Sequence, residues 1–277
     1  MNHVEGSFRG VRGLSIYTQA WLPEGETKAV ALIVHGLAEH SGRYMNVVNA
    51  LVPRGYAVYA LDHVGHGKSE GGRGVIERFD DYTDTLTTYL GMVKGRQPGK
   101  PVFLLGYSMG GLIAATYLLD HPSEVQGAVF SAPLVKVGES VPKAAILISK
   151  ILSVIAPRMG VLALDSSALS SDPEVVKAYA DDPLVFHGKT PARLGAEMLK
   201  AMQRVTAEVG KISVPFIVIQ GSEDRLVDPG ATRMLYDEAG SKDKTLKVYE
   251  GFFHEVCNEP ECALVFGDIG DWLDAHV

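Results

Sequence analysis

The feature that most constrains this chain is the run Val102-Phe103-Leu104-Leu105-Gly106-Tyr107-Ser108-Met109-Gly110-Gly111-Leu112. A short apolar stretch of strand length ends in Gly-Tyr-Ser-Met-Gly, and small and apolar residues continue to Leu119. This is the strand–turn–helix context in which G-x-S-x-G sets a serine on a sharp, strained turn. Gly106 and Gly110 carry no Cβ, so strand and helix can approach closely there. The Met109 amide falls in the first helical turn, where N–H groups lack intrahelical acceptors and the dipole favours an anion. The pentapeptide alone fits a glycine-rich turn with an ordinary serine equally well, so partners elsewhere in the chain decide.

Strand and helix signals alternate on both sides of that run. Residues 13–22, 29–34, 56–61, 125–131, 214–220 and 246–249 read as strands. Residues 44–52 read as a helix stopped by Pro53, and 79–93 as an amphipathic helix with Tyr82, Leu86, Tyr89, Leu90 and Val93 on one face. The last helix, 260–276, carries Ala263, Phe266, Ile269, Trp272 and Leu273 on its apolar face. Apolar strands separated by helices predict an α/β fold, with a mostly parallel central sheet flanked by helices. The alternation breaks between Pro133 and Ser213, where no strong strand signal occurs. The expected organisation is a core of residues 1–133 and 213–277, with residues 134–212 inserted as a helical cap. Within it, 141–156 reads as an apolar helix bearing Lys143 and Lys150, followed by Arg158, with no acid from 140 to 164. Such a helix is either core packing or a lid that lines a hydrophobic tunnel and touches anionic membrane.

A serine hydroxyl needs a base within hydrogen-bond reach. His254 follows the strand at 246–249, so it returns to the sheet edge that carries Ser108. Asp224 follows the strand at 214–220 and is the expected acid, with Asp228 its main rival and Glu223 adjacent. The order Ser, acid, His is that of the α/β-hydrolases, not of the chymotrypsin or subtilisin arrangements. A second oxyanion donor, beside Met109 N–H, is expected at Leu37 N–H in the loop after the strand at 29–34. Two other motifs carry less. Gly67-Lys68-Ser69 resembles the end of a phosphate loop, but the glycine it requires is Asp62. His35, His40, His63 and His66 come from two loops without metal-ligand spacing, so no metal is expected there. Asp62 and His66 are expected to tie down their own turn.

A net charge of −7 argues against nucleic acid as a partner. Met1 to Phe8 has neither the basic segment nor the apolar core of a secretory signal, and no apolar run has the length of a membrane span. Cys257 and Cys262 are too few for a disulfide framework and are expected as thiols in a reducing, cytoplasmic compartment, with a Cys257–Cys262 bridge as the alternative that free-thiol titration separates. Oligomeric state is left open.

Three runs resemble the monoacylglycerol lipases. They are His35-Gly36-Leu37-Ala38-Glu39-His40-Ser41-Gly42-Arg43-Tyr44, Asp62-His63-Val64-Gly65-His66-Gly67-Lys68-Ser69-Glu70-Gly71, and the serine run itself. The likeness continues through Leu164-Asp165-Ser166-Ser167 and Tyr179-Ala180-Asp181-Asp182-Pro183-Leu184 to the acid and histidine loops. It implies an α/β-hydrolase fold with a helical cap, acting on monoacylglycerol or a similar small lipid ester without metal or organic cofactor. It carries over Ser108, Asp224 and His254 as a catalytic triad, and Leu37 and Met109 as the oxyanion hole. Glu39, Arg43 and Tyr179 would lie near the glycerol. The residue before the nucleophile is often histidine in that family and is Tyr107 here, which bears on the alcohol group the site accepts. Carboxylesterases and lysophospholipases share much of the pattern, and an acyltransferase would replace water with an alcohol.

Overall fold

The computed structural model describes residues 1–137 and 143–277. Its strands are β1 (Asn2–Arg9), β2 (Ser15–Leu22), β3 (Ala29–Val34), β4 (Tyr56–Leu61), β5 (Val102–Tyr107), β6 (Gly127–Ser131), β7 (Gly160–Leu162), β8 (Thr190–Pro191), β9 (Phe216–Gly221) and β10 (Lys244–Tyr249). Its α-helices are α1 (Met45–Leu51), α2 (Asp80–Arg96), α3 (Met109–Asp120), α4 (Lys143–Ile155), α5 (Pro173–Asp181), α6 (Ala192–Glu208), α7 (Pro229–Glu238) and α8 (Ala263–Ala275). Eight strands form one sheet in the order β1-β2-β4-β3-β5-β6-β9-β10. Only the β1–β2 and β2–β4 pairs of this sheet are antiparallel; β4, β3, β5, β6, β9 and β10 run parallel to one another.

The central strands are apolar throughout because both faces are covered. Alternate residues of β3 show this. Val30, Leu32 and Val34 join one apolar layer with α2, α3, α6 and α7, while Ala29, Ala31 and Ile33 join the other with α1 and α8. Tyr82, Leu86, Tyr89, Leu90 and Val93 of α2 are buried on the face their spacing predicts.

Two departures from expectation have simple causes. β1 was not anticipated, since it is exposed along almost its whole length and so has no apolar face to leave a period. It is held by backbone pairing with β2, from Asn2 opposite Leu22 to Arg9 opposite Ser15. The segment between β6 and β9 is not wholly helical: β7 and β8 pair as a second, two-stranded sheet. Strands of three and two residues are too short to alternate visibly. Val141, where the apolar helix was expected to start, lies outside the described residues. In α6, Leu194, Met198, Ala201, Met202 and Val205 join the same apolar layer as α2 and α3, so this part of the segment rests on the core.

The topology positions the site. β3, β5, β9 and β10 are parallel, so the loops after Val34, Tyr107, Gly221 and Tyr249 all leave one edge of the sheet. Close packing at that edge demands glycine at 110: a Cβ there would sit 1.9 Å from the Val34 carbonyl oxygen.

Candidate active site

Ser108 joins β5 to α3 at φ 52° and ψ −115°, a conformation that residues bearing a Cβ rarely adopt. The strain is held from both sides. Ser108 N–H donates to Ser131 O at 2.9 Å, and its carbonyl accepts from Leu134 N–H at 3.1 Å and Leu112 N–H at 3.2 Å. The side chain is half-buried and lines a cavity of about 300 Å³. Its Oγ makes no hydrogen bond among the described residues.

His254 lines the same cavity. Its Nδ1 bonds Asp224 Oδ2 at 2.8 Å, which leaves Nε2 as the ring nitrogen without a carboxylate. Asp224 is held in turn: Oδ1 accepts from Leu226 N–H at 2.8 Å and Val227 N–H at 3.0 Å, and Oδ2 also accepts from Gln220 Nε2 at 2.6 Å. Asp228 does something different. It caps α7, accepting from Gly230 N–H at 2.8 Å, and it lines a neighbouring cavity. Glu223 is exposed.

The electrostatics of the pair follow from its surroundings. Burial opposes the charged forms of both groups, but the mutual hydrogen bond and charge prevail. The Asp224 carboxyl is held below its ordinary value, helped by the Leu226 and Val227 amides. The His254 imidazole is pulled down by burial yet ends above its ordinary 6.5, through Asp224 and the nearby Glu255 and Glu39. A base must be neutral to accept a proton, so activity that uses His254 rises with pH through a midpoint above 6.5. An acid limb at or below 6.5 in the kcat/KM profile would contradict the raised imidazole, and a profile with no acid limb would contradict the role as base.

Leu37 lines the cavity, and its N–H has no acceptor among the described residues. Met109 opens α3, where an N–H has no intrahelical acceptor. The loop bearing Leu37 is tied down from within. His35 Nδ1–H donates to Gly36 O at 2.8 Å, and His35 Nε2 accepts from His63 N–H at 2.8 Å. Glu39 Oε1 accepts from Gly36 N–H at 2.7 Å and from Tyr44 OH at 2.5 Å. Burial keeps all three inner histidines neutral, with His63 pushed down to about 3, His66 to about 4 and His35 well below its ordinary value. Asp62 reaches beyond its own turn. Oδ2 accepts from Lys68 N–H, while Oδ1 accepts from Ser41 N–H at 2.8 Å and so links the two histidine-bearing loops.

Glu39, Arg43, Tyr107 and Tyr179 all line the cavity. Arg43 is committed to carboxylates, bonding Glu39 at 3.0 Å and Glu255 at 2.9 and 3.1 Å, with its guanidinium 4.7 Å from the Tyr179 ring centre. Burial raises the Glu39 carboxyl despite the Arg43 charge. Tyr107 OH meets Cys257 Sγ at 3.8 Å, and its ring packs on Tyr44. Glu255 was not singled out from the sequence; its position directly after His254 was the available signal. A second cavity of about 970 Å³ adjoins the first and shares Leu134, Leu162, Met198 and Leu226 with it. Leu152 of α4 and Met202 of α6 also line it.

Known proteins share this arrangement of chain. A family model described as serine aminopeptidase, S33, matches residues 25–261. A monoacylglycerol lipase of Mycolicibacterium smegmatis is 38% identical over 273 residues, 99% of this chain and 98% of that one. The monoglyceride lipase of Homo sapiens is 38% identical over 264 residues, 94% of this chain and 87% of that one. A crystal structure of Paleococcus ferrophilus monoacylglycerol lipase matches with a TM-score of 0.84 at 30% identity, covering 100% of both chains.

Proposed function

The chain belongs to the monoacylglycerol lipase family of α/β-hydrolases, and from that membership we propose that it hydrolyses a monoacylglycerol to a fatty acid and glycerol. The observation that carries the reading is the hydrogen-bonded Asp224–His254 pair lining the same cavity as the strained Ser108. Ser108 Oγ attacks the ester carbonyl while neutral His254 takes its proton. Asp224 holds the imidazole tautomer and steadies the imidazolium. The Leu37 and Met109 amides receive the oxyanion; removing one such donor costs about 2.7–4 kcal/mol in the transition state. His254 then protonates the leaving glycerol, and water activated by the same histidine releases the fatty acid.

Magnitudes assign selectivity to different ends of the site. A buried methylene is worth about 0.8 kcal/mol, so ten in the adjoining apolar cavity contribute up to about 8 kcal/mol. A neutral hydrogen bond to a glycerol hydroxyl nets about 1 kcal/mol. Affinity therefore comes from the acyl chain, while the walls around Glu39, Arg43, Tyr107 and Tyr179 limit the bulk of the alcohol. Monoacylglycerol should be hydrolysed faster than di- or triacylglycerol of the same chain length. Equal initial rates of fatty-acid release from all three would refute this. Running p-nitrophenyl esters and a lysophospholipid alongside separates a lipase from a broad esterase, because only the lipase depends steeply on acyl length.

Residues 134–212 act in this reading as a cap over the acyl cavity that touches membrane at its outer face. Ile151, Val154 and Ile155 are 52–72% exposed, next to the exposed Lys150 and Arg158. No helix among the described residues is long and apolar enough to cross a membrane. Co-sedimentation with vesicles should rise with their anionic lipid content, and indifference to that content would remove the electrostatic part of the contact.

A further inference from the structure

The loop that carries Leu37 contains a strained residue. Ala38 adopts φ 67°, a left-handed conformation disfavoured for any residue with a Cβ. Such a loop keeps its shape only if its surroundings over-determine it. The restraints from His35 and Glu39 come from within the loop and the neighbouring core. Asp62 holds Ser41 and Glu255 holds Arg43 further along the loop, and a further set of contacts comes from one short stretch of the inserted segment, residues 179–187. Tyr179 stacks on Arg43, Phe186 N–H donates to the Ala38 carbonyl at 2.7 Å, and Asp182 Oδ2 lies 2.9 Å from His40 Nε2.

The His40 contact has a defined polarity. His40 Nδ1 accepts from Gly42 N–H at 3.2 Å, so the ring proton sits on Nε2 and points at Asp182. Asp182 is itself oriented. Its Oδ1 accepts from Leu184 N–H at 2.8 Å, and its carbonyl accepts from Val185 N–H at 3.2 Å and His187 Nε2–H at 3.1 Å. The carboxylate is therefore a fixed acceptor aimed at a buried histidine, two residues from the strained Ala38.

We propose that Asp182, in the inserted segment, is a positioning residue for the oxyanion loop, acting through His40 to hold the Leu37 amide where the developing oxyanion will be. This rests on the reading that Leu37 N–H is an oxyanion donor for Ser108 chemistry. Asp182 touches no reacting atom. Its effect is preorganisation: a donor held in place before reaction stabilises the transition state more than the bound substrate, so its loss lowers kcat and spares KM.

The test is Asp182→Asn, assayed on p-nitrophenyl acetate, whose acyl group is too short to reach the cavity beside α4 and α6. If the asparagine oxygen keeps the Leu184 bond, its amide nitrogen faces His40 Nε2–H and two donors oppose each other. The expected result is a fall in kcat of at least about tenfold, KM within about twofold and an unchanged far-UV spectrum. His40→Ala removes the same bond from the core side and should give a similar fall. The double variant should be no slower than the slower single one, because both act through one contact. His40→Ala decides the matter if Asp182→Asn does not fold. A folded variant with parental kcat on the acetate overturns the inference, and so does a loss confined to KM for long-chain esters. Ser108→Ala run in parallel separates the two levels. If it stays active, the underlying reading fails; if it is inactive while both contact variants are normal, only the role of Asp182 fails.

Discussion

Ser108→Ala is expected to lower fatty-acid release from monoacylglycerol by at least about 10⁴-fold, with the fold and thermal midpoint intact. The substitution removes one oxygen that bonds to nothing among the described residues, and the backbone restraints at position 108 come from Ser131, Leu134 and Leu112 rather than from the side chain. The melting curve should therefore overlay that of the parent. His254→Ala should be nearly as inactive, and the pair together no worse than either alone, since in the proposed mechanism the two act as a unit. Initial rates on a single monoacylglycerol check this; a Ser108→Ala protein retaining a hundredth of parental activity would contradict it.

Asp224→Asn is expected to cost about 10⁴-fold in kcat with little change in structure. Asp224 Oδ2 accepts from both His254 Nδ1–H and Gln220 Nε2. An amide nitrogen at that place would face two donors, and the imidazole could answer only by changing tautomer, which presents Nε2–H rather than a lone pair to Ser108. Asp228→Asn is the control. It keeps a good cap on α7, so kcat should stay within about twofold and stability within a few tenths of a kcal/mol. Near-normal turnover by the first variant with loss in the second would transfer the orienting role to Asp228.

How much of this was legible in the sequence depends on whether the signal is local. The run from Val102 to Leu119 announces its strand, turn and helix because burial on both sides leaves uninterrupted apolar residues, and the close approach of α3 to β3 tolerates no Cβ at 110. The placement of His254 in the cavity that Ser108 lines was legible from its position after a strand that ends at the same sheet edge. The choice between Asp224 and Asp228 was not settled by position, since both follow β9 in one loop. A local signal was nonetheless present: Asp228-Pro229 is an N-cap followed by proline at the first helical position, which commits that carboxylate to α7.

The remainder was hidden because it is non-local or exposed. His40 and Asp182 lie 142 residues apart, and Arg43 and Glu255 lie 212 apart, so no period or spacing connects them. β1 is exposed, and its strand state follows from pairing with β2 rather than from its own side chains. β7 and β8 are shorter than the pattern needed to detect them. The His40–Asp182 contact joins the stretch between β6 and β9 to a loop of the site, and the Arg43–Glu255 contact joins two loops of the site to each other, neither of which the order of the chain alone reveals.

The most direct measurement is covalent labelling with a long-chain alkyl phosphonate, mapped to a single peptide by mass spectrometry and compared with loss of monoacylglycerol hydrolysis in the same samples. The account predicts one label, on Ser108, with activity lost in proportion to its occupancy. Full hydrolysis by a completely labelled protein, or inactivation that tracks a label on another residue, would contradict it.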